Sequence, residues 1–320
     1  MTITWTFLLA AGSAFGLACG AHRLWSHRSF KAHWLLELFL MILDTISMTG
    51  SVYSYARDHR THHKNSDTPA DPKNSFRGFW YSQMGWWLFK KDPIVIQRGS
   101  LLNYDDLLDN KLIAFQHKFY QPMLIFWGIL FPAAVPYLLW NENLYNSFLT
   151  VVFLRYVIVL HHFWTTNSLA HLYGRRVYDK SLRPAESRLV NYLSLGEGHH
   201  NFHHTFPWDY VTSQEGWKWN FDPATLFLDS CKNLGLVYEE KRAPKHMIKN
   251  RIHRTGCPEE FTEIDKRSKL VRIVISVLDW IAGHLVALWA LWLGIALKCV
   301  YLAFRGELSV YNVLKEAFYE

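Results

Sequence analysis

The sequence predicts an all-α integral membrane protein with four to five transmembrane helices and a cytosolic helical cap. Half of its 320 residues are hydrophobic and 16% are aromatic, which gives ample apolar surface to bury and excludes a disordered chain. The apolar residues collect in runs close to the length of a membrane span. The net charge of +7 is therefore interpreted as loop asymmetry, not nucleic-acid binding, and the runs also exclude a soluble hydrolase.

The first apolar run, Ile3–Ala21, has 19 uncharged residues, close to the ~20 that cross a bilayer as a helix. The second contains Glu37 and Asp44, which we expect near a helix end or facing the bundle interior because charges inside a span are costly. The fourth is interrupted by Arg155. The predicted spans lie at about 3–21, 34–55, 123–140 and 147–170.

Two long polar blocks, 57–118 and 172–270, are rich in Lys and Arg, whereas the connector Asn141–Asn146 has no basic residue. The positive-inside rule places both blocks in the cytosol and the N-terminus in the lumen. The C-terminal extension, 271–320, contains one further predicted span at Trp280–Leu297, which would make the C-terminus lumenal as well. The four cysteines form no C-x-x-C pair, so they indicate neither a disulfide framework nor a zinc knuckle.

Histidines are concentrated in three short motifs placed just past predicted spans or in the second cytosolic block. Positions i, i+3 and i+4 share a helix face, so each H-x-x-H-H is predicted to present three imidazoles to a common point. In H-R-L-W-S-H the two histidines lie five apart, about 140° around a regular helix, so the helix there must bend or unwind. The eight residues are His22 and His27; His59, His62 and His63; and His200, His203 and His204.

Neutral imidazole is a common ligand of iron, zinc and copper. Eight histidines exceed the four ligands of one tetrahedral zinc ion, which predicts two metal ions side by side. An all-nitrogen pair at a membrane surface points to iron and O2 chemistry, because a redox-inactive zinc pair would serve hydrolysis.

These motifs resemble the acyl-CoA Δ9 desaturases, the stearoyl-CoA desaturase family of animals and fungi. The similarity is carried by G-A-H-R-L-W-S-H-R (20–28), A-R-D-H-R-T-H-H-K (56–64), D-P-K-N-S-F-R-G-F (71–79), N-S-L-A-H-L-Y-G (167–174) and G-E-G-H-H-N-F-H-H-T-F-P (196–207). Membrane hydroxylases and sterol oxidases also carry three histidine boxes but lack the first and last of these contexts. The family normally has a further transmembrane helix ahead of the first one here.

The resemblance implies a membrane fatty acid desaturase domain over 1–270 with a di-iron centre held by nine histidines. The eight above would be joined by His171, while Asn167, one helical turn earlier, would hold a water on the metal. It implies removal of two hydrogens from a saturated acyl-CoA by O2, leaving a cis double bond. It also implies electrons from cytochrome b5 and its NADH-dependent reductase, and a multi-pass protein of the endoplasmic reticulum membrane with its site facing the cytosol.

The family resemblance also suggests substrate contacts. Basic residues at the cytosolic mouth hold CoA phosphates, and the corresponding positions are Arg57, Asp58, Lys90 and Lys91, although the two lysines also suit an ordinary solvated pair. The apolar tunnel for the acyl chain would be walled by Tyr55, Phe163 and Trp164. The family usually has Trp in place of Tyr55 and a small residue in place of Phe163, so the bulkier Phe163 is predicted to shorten the tunnel.

Two alternatives stay open on the residues alone. A membrane di-iron lipid hydroxylase would use the same ligands, and only the product separates the two reactions. A desaturase homologue with an intact metal site but no activity is the other alternative. The remaining histidines have no partner at ligand spacing and are interpreted as solvated or packed: His33, His117, His246, His253 and His284, with His199 at a position that is aromatic in the family.

Overall fold

The computed structural model describes residues 1–258 and 268–288 and is mostly helical with little sheet, as predicted. The sheet in those ranges is one antiparallel pair of two-residue strands, β1 (Lys31–Ala32) and β2 (Val237–Tyr238). Short helical segments without a label lie at Ser75–Arg77 and, one directly after the other, at Tyr81–Gly85 and Trp86–Leu88. The longer helical segments are α1 Thr2–Ser26, α2 Trp34–Ser47, α3 Val52–Asn65, α4 Pro93–Gly99, α5 Asp105–Asp109, α6 Lys111–Lys118, α7 Tyr120–Trp140, α8 Leu144–Leu172, α9 Arg188–Leu193, α10 His200–Thr205, α11 Pro223–Asn233, α12 Lys245–Thr255 and α13 Lys269–Ala287.

Four helices of the described chain, α1, α7, α8 and α13, are long and apolar enough to cross a membrane. The first three contain the spans predicted at 3–21, 123–140 and 147–170. The fourth begins earlier than the span predicted at 280–297, and residues 289–297 lie outside the described part of the chain. The chain therefore has the helices of a multi-pass membrane protein.

The second apolar run, predicted as a span at about 34–55, is bent in the structure. It forms two helices, α2 and α3, that meet at an angle of 83°. The break occurs because Met48 adopts a left-handed conformation (φ 61°) and Gly50 has a φ of 101°, neither of which continues a helix. His27, before α2, touches His59 on α3, so the bent pair leaves from and returns to the same end of the molecule.

The end of α2 is capped by the arginine that interrupts the fourth apolar run. The last carbonyls of a helix have no partner within it, and a bilayer offers no water to replace one. Arg155 of α8 is fully buried, donates one Nη hydrogen bond to the carbonyl of Ile46, and donates another to the carbonyl of Gly128 at 2.7 Å. Arg155 thus satisfies a helix end and joins α2, α7 and α8.

The helices α1 and α2 pack backbone against backbone. A Cβ at Gly16 of α1 would lie 2.3 Å from the backbone nitrogen of Asp44, so only glycine allows this approach. From Gly16 to Ser26, α1 winds as a π-helix, whose hydrogen bonds join residues five apart. This wider winding shapes the site at the end of α1.

Candidate metal centre

The π-helical end of α1 brings its two histidines together. Five residues apart is close to one turn of a π-helix, so His22 and His27 lie on one side, with ring centroids 4.9 Å apart. The backbone N–H of His27 donates to the carbonyl of His22 at 3.1 Å, which is the five-residue hydrogen bond itself. The sequence prediction that regular helical winding fails here is confirmed, and the π-helix is the reason.

Nine histidines converge in two adjoining groups. Within each group, one ring nitrogen from every member lies within 4.8 Å of the others. The first, called the five-histidine group, contains His22, His27, His59, His63 and His203. The second, called the four-histidine group, contains His62, His171, His200 and His204. These nine are the residues that the sequence and the family resemblance singled out.

Each H-x-x-H-H motif divides between the two groups, which corrects the prediction of one common point per motif. His59 and His63 of α3 enter the five-histidine group, while His62 turns to the other. On α10, His200 and His204 enter the four-histidine group and His203 turns away. At 100° per residue, position i+4 lies 40° from position i in one direction around the helix, and position i+3 lies 60° from it in the other direction. One helix can therefore direct side chains into two adjacent histidine groups.

The imidazoles face one another through Nε2. His22 Nε2 lies 3.0 Å from His203 Nε2, and His200 Nε2 lies 3.2 Å from the Nε2 atoms of both His171 and His204. A neutral imidazole has a single N–H, so a ring that donates from Nδ1 presents only a lone pair at Nε2. Lone pairs that face one another repel unless a cation lies between them, so this donor set fits metal ions.

Carboxylates lie behind the outer nitrogens of three of these rings, and the sequence interpretation missed all three carboxylates. His62 Nδ1 lies 2.9 Å from Asp71, and His171 Nδ1 lies 2.9 Å from Asp67. Carboxylates behind ligating histidines fix the ring and its tautomer. The signal was available, since both aspartates follow the second histidine motif within nine residues of His62.

The third carboxylate, Glu197, lies 3.3 Å from His22 Nδ1 and is paired with Arg23 at 2.8 Å. Both members of this ion pair are buried, and Arg23 also approaches Asp222 at 3.5 Å. Burial alone would raise the pKa of Glu197, but Arg23 and His22 outweigh it and lower that pKa to about 2. Glu197 is therefore ionised and can orient His22, and its position three residues before His200 was the overlooked signal.

The histidines of α10 are neutral and available as ligands. Burial lowers the pKa of His200, His203 and His204 well below its usual value, and neighbouring imidazoles lower it further. Metal binding requires the neutral ring. Near His171, the amide Nδ2 of buried Asn167 has no hydrogen-bond partner among the described residues. The amide of Asn167 is thus an unused donor at the site.

The other histidines lie outside both groups. His199 is adjacent to His200, yet its Nδ1 bonds Glu186 at 2.7 Å. His33 accepts from the backbone N–H of Leu35 at the start of α2, and His117 bonds Ser51 at 2.9 Å.

At the predicted CoA mouth the structure brings three of the four residues together. Asp58 lies 3.1 Å from Arg57 and forms an ion pair with Lys91. Lys90 is exposed and lies outside this group. The guanidinium of Arg57 remains partly open to solvent, which leaves it able to meet a phosphate.

Of the three predicted tunnel residues, Tyr55 contacts the five-histidine group, Phe163 contacts Tyr55, and Trp164 lies among other aromatic rings. Tyr55 stacks on His59 with ring centroids 5.6 Å apart and an interplanar angle of 12°, and it meets Phe163 edge-on at 5.9 Å. Trp164 packs against Trp86 at 6.1 Å. Phe163 and Trp164 are buried, so the aromatic wall begins at a candidate metal ligand.

Comparison with known proteins agrees with this geometry. Residues 1–220 match the profile of the fatty acid desaturase family. The chain is 47% identical over 255 residues to a stearoyl-CoA desaturase of Sus scrofa, covering 80% of this chain and 70% of that protein. It is 48% identical over 244 residues to a stearoyl-CoA desaturase of Homo sapiens, covering 76% and 67%, and 44% identical over 255 residues to an acyl-CoA desaturase of Ovis aries, covering 80% and 70%.

All nine clustered histidines and the candidate spans α1, α7 and α8 lie within the residues that the family profile matches. The chain belongs to the fatty acid desaturase family.

Proposed function

We propose that this protein is an acyl-CoA desaturase, an oxidoreductase that uses O2 to insert a cis double bond, at Δ9, into a saturated fatty acyl-CoA. The observation that carries the proposal is the pair of histidine groups, nine imidazoles in all, within a chain 47% identical to a stearoyl-CoA desaturase. The reaction must break a methylene C–H bond, which no side-chain acid or base can do, so the centre must supply the chemistry.

The two groups would each hold one iron ion. When bound, such a pair supplies the O2 chemistry that removes hydrogen from an unactivated carbon. Imidazole nitrogens suit iron, and in both groups the rings already face one another through Nε2. The ligands would be the members of the five-histidine and four-histidine groups.

The surrounding side chains prepare these ligands. Asp67, Asp71 and Glu197 fix the rings from behind, so that Nε2 and not Nδ1 points inward. Asn167, whose Nδ2 is buried and unpaired, would hold a water at the four-histidine group, one turn before His171. Pre-set geometry of this kind reduces the reorganisation that the reaction requires.

The substrate would enter past the ion pairs at Asp58. Arg57 and Lys91 would meet the CoA phosphates there, and Lys90 could reach them from the exposed surface. The acyl chain would run along Tyr55, Phe163 and Trp164, where Tyr55 stacks on His59 and so brings the chain to the metals. The distance from the anchored head to the metals would select the carbon that reacts.

We further propose that the protein lies in the endoplasmic reticulum membrane with this site facing the cytosol. The lysine- and arginine-rich blocks that contain the second and third histidine motifs support that orientation. Electrons would come from cytochrome b5 and its NADH-dependent reductase, because the family resemblance implies them and the sequence shows no haem, flavin or iron–sulfur motif of its own.

The test is expression in yeast that lacks its own Δ9 desaturase, with cellular fatty acids identified by mass spectrometry after derivatisation of double bonds. We expect a new monounsaturated acid that disappears in the His203→Ala variant. Hydroxylated acids instead would support a lipid hydroxylase. Absence of any product from a protein shown to be folded and membrane-inserted would contradict the proposal.

A further inference from the structure

A buried cation lies between the mouth and the metal centre. The side chain of Lys73 is only 3% exposed, and its Nζ sits 5.6 Å from the ring centroid of Tyr55 and 5.1 Å from that of Trp86. Within the described chain this Nζ donates no hydrogen bond. Burying a charge without hydrogen bonds is costly, and the two ring contacts offset only part of that cost. The ammonium of Lys73 still has three N–H donors without an acceptor among the described residues.

The carboxylates near Lys73 are already engaged. Asp71 bonds His62 and the backbone N–H of Lys73, and Asp58 pairs with Lys91. Burial lowers the pKa of Lys73 to about 8, against the attraction of both aspartates, so the ammonium is still mostly charged at neutral pH.

Two further unused polar groups belong to the rings that flank this ammonium. The hydroxyl of Tyr55 and the indole N–H of Trp86 are both buried and have no hydrogen-bond partner among the described residues. Tyr55 also touches Phe163, and Trp86 touches Trp164, which are walls of the proposed acyl tunnel. Buried polar groups are normally paired, so three unpaired groups on neighbouring side chains indicate a ligand that brings an acceptor.

We propose that Lys73, with Tyr55 and Trp86, binds the thioester carbonyl oxygen of the acyl-CoA and so positions the acyl chain against the metals. This inference rests on the proposed desaturase function. A carbonyl fits better than a phosphate because the surroundings are aromatic and buried, whereas Arg57 and Lys91 lie at the mouth where phosphates would stop. Lys73 lies no more than about 11 Å from the ring of His59, so the anchored head would fix which carbon reaches the centre.

The test compares two ligands on the iron-loaded protein in lipid nanodiscs by calorimetry. One is palmitoyl-CoA and the other is S-hexadecyl-CoA, a thioether that lacks only the carbonyl. We expect the wild type to bind the thioester at least about tenfold more tightly, the ratio typical of a hydrogen bond to a charged group. Lys73→Met should weaken thioester binding by that factor and leave thioether binding unchanged, while Lys73→Arg should restore part of the preference.

Lys118→Met is the matched control, because Lys118 also lies over an aromatic ring, 5.4 Å from the centroid of Phe119, but at the surface. It should leave both affinities unchanged. Equal binding of the two ligands by a wild type that still desaturates would overturn the role of Lys73 and leave the proposed function standing. Binding of neither ligand would overturn both. Thioether binding by Lys73→Met also reports that this variant is folded.

Discussion

The two histidine groups are built from the same motifs but are not equivalent. The five-histidine group gathers rings from the end of α1, α3 and α10, and one carboxylate, Glu197, lies behind it. The four-histidine group gathers rings from α3, α8 and α10, with two carboxylates behind it and Asn167 one turn before its α8 member. A group with fewer nitrogens leaves more of an ion's coordination sphere for an exchangeable ligand. We therefore expect the more open position at the four-histidine group.

The largest expected effect comes from removing one ligand from each group in turn. His63 and His204 stack on each other with centroids 4.1 Å apart, yet belong to different groups, so His63→Ala and His204→Ala form a matched pair. We expect each variant to lose the ion of its own group, and desaturation to fall to background in both, because the reaction needs both ions. Elemental analysis of the purified variants measures the iron. Unchanged iron in both variants would contradict the assignment.

The carboxylates provide the next test, since each supports one group. We expect Glu197→Gln and Asp71→Asn to weaken metal binding by about 10–100-fold, measured by competition with a chelator. Glu197→Gln should also destabilise the fold by up to about 3–5 kcal/mol, because it leaves the buried guanidinium of Arg23 with only the more distant carboxylate of Asp222. Asp71→Asn removes no carboxylate from an arginine, so thermal unfolding should separate the two variants. Equal loss of stability in both would refute this distinction.

A smaller effect on turnover is expected at Asn167, which lies near the four-histidine group only. Asn167→Ala removes one buried donor without removing a ligand, so both ions should remain. We expect turnover to fall about 2–10-fold, the effect of one lost hydrogen bond. Steady-state rates normalised to bound iron measure this. Loss of iron from the variant would instead make Asn167 part of the ligand set.

The smallest effect on the metal centre is expected from a substitution in the proposed tunnel wall. Phe163→Val replaces a buried ring that contacts Tyr55 with a smaller side chain. The tunnel should become deeper, and the product profile should shift toward longer acyl chains. Iron content should not change. Phe153→Val, on the exposed side of the same helix, is the control and should leave the profile as in the wild type. An unchanged profile in Phe163→Val would remove Phe163 from the wall.

The sequence predicted which histidines come together better than it predicted the bend between α2 and α3, the helix that contains the second histidine motif. Composition and apolar runs anticipated α1, α7 and α8, because span length is a local property. The bend after α2 depends on Met48 and Gly50 and on a cap from distant Arg155, which no run length reveals. The spacing of the histidines predicted which residues converge but not how each motif divides between the two groups.

The carboxylates were missed for a related reason. Asp67 and Asp71 lie in a loop where acids are ordinary, and Glu197 resembles any charged residue between glycines. Their function appears only when the fold places them behind His171, His62 and His22. Lys73 was not identified for the same reason, since only its burial between two rings distinguishes it from a solvated lysine.

The proposed centre contains two unequal iron sites, one in each histidine group. Mössbauer spectroscopy of the protein loaded with the isotope iron-57 tests it most directly, because the method counts iron environments as well as iron. We expect two signals of equal area with different parameters, one for each histidine group. A single signal, or no bound iron in folded protein, would contradict it.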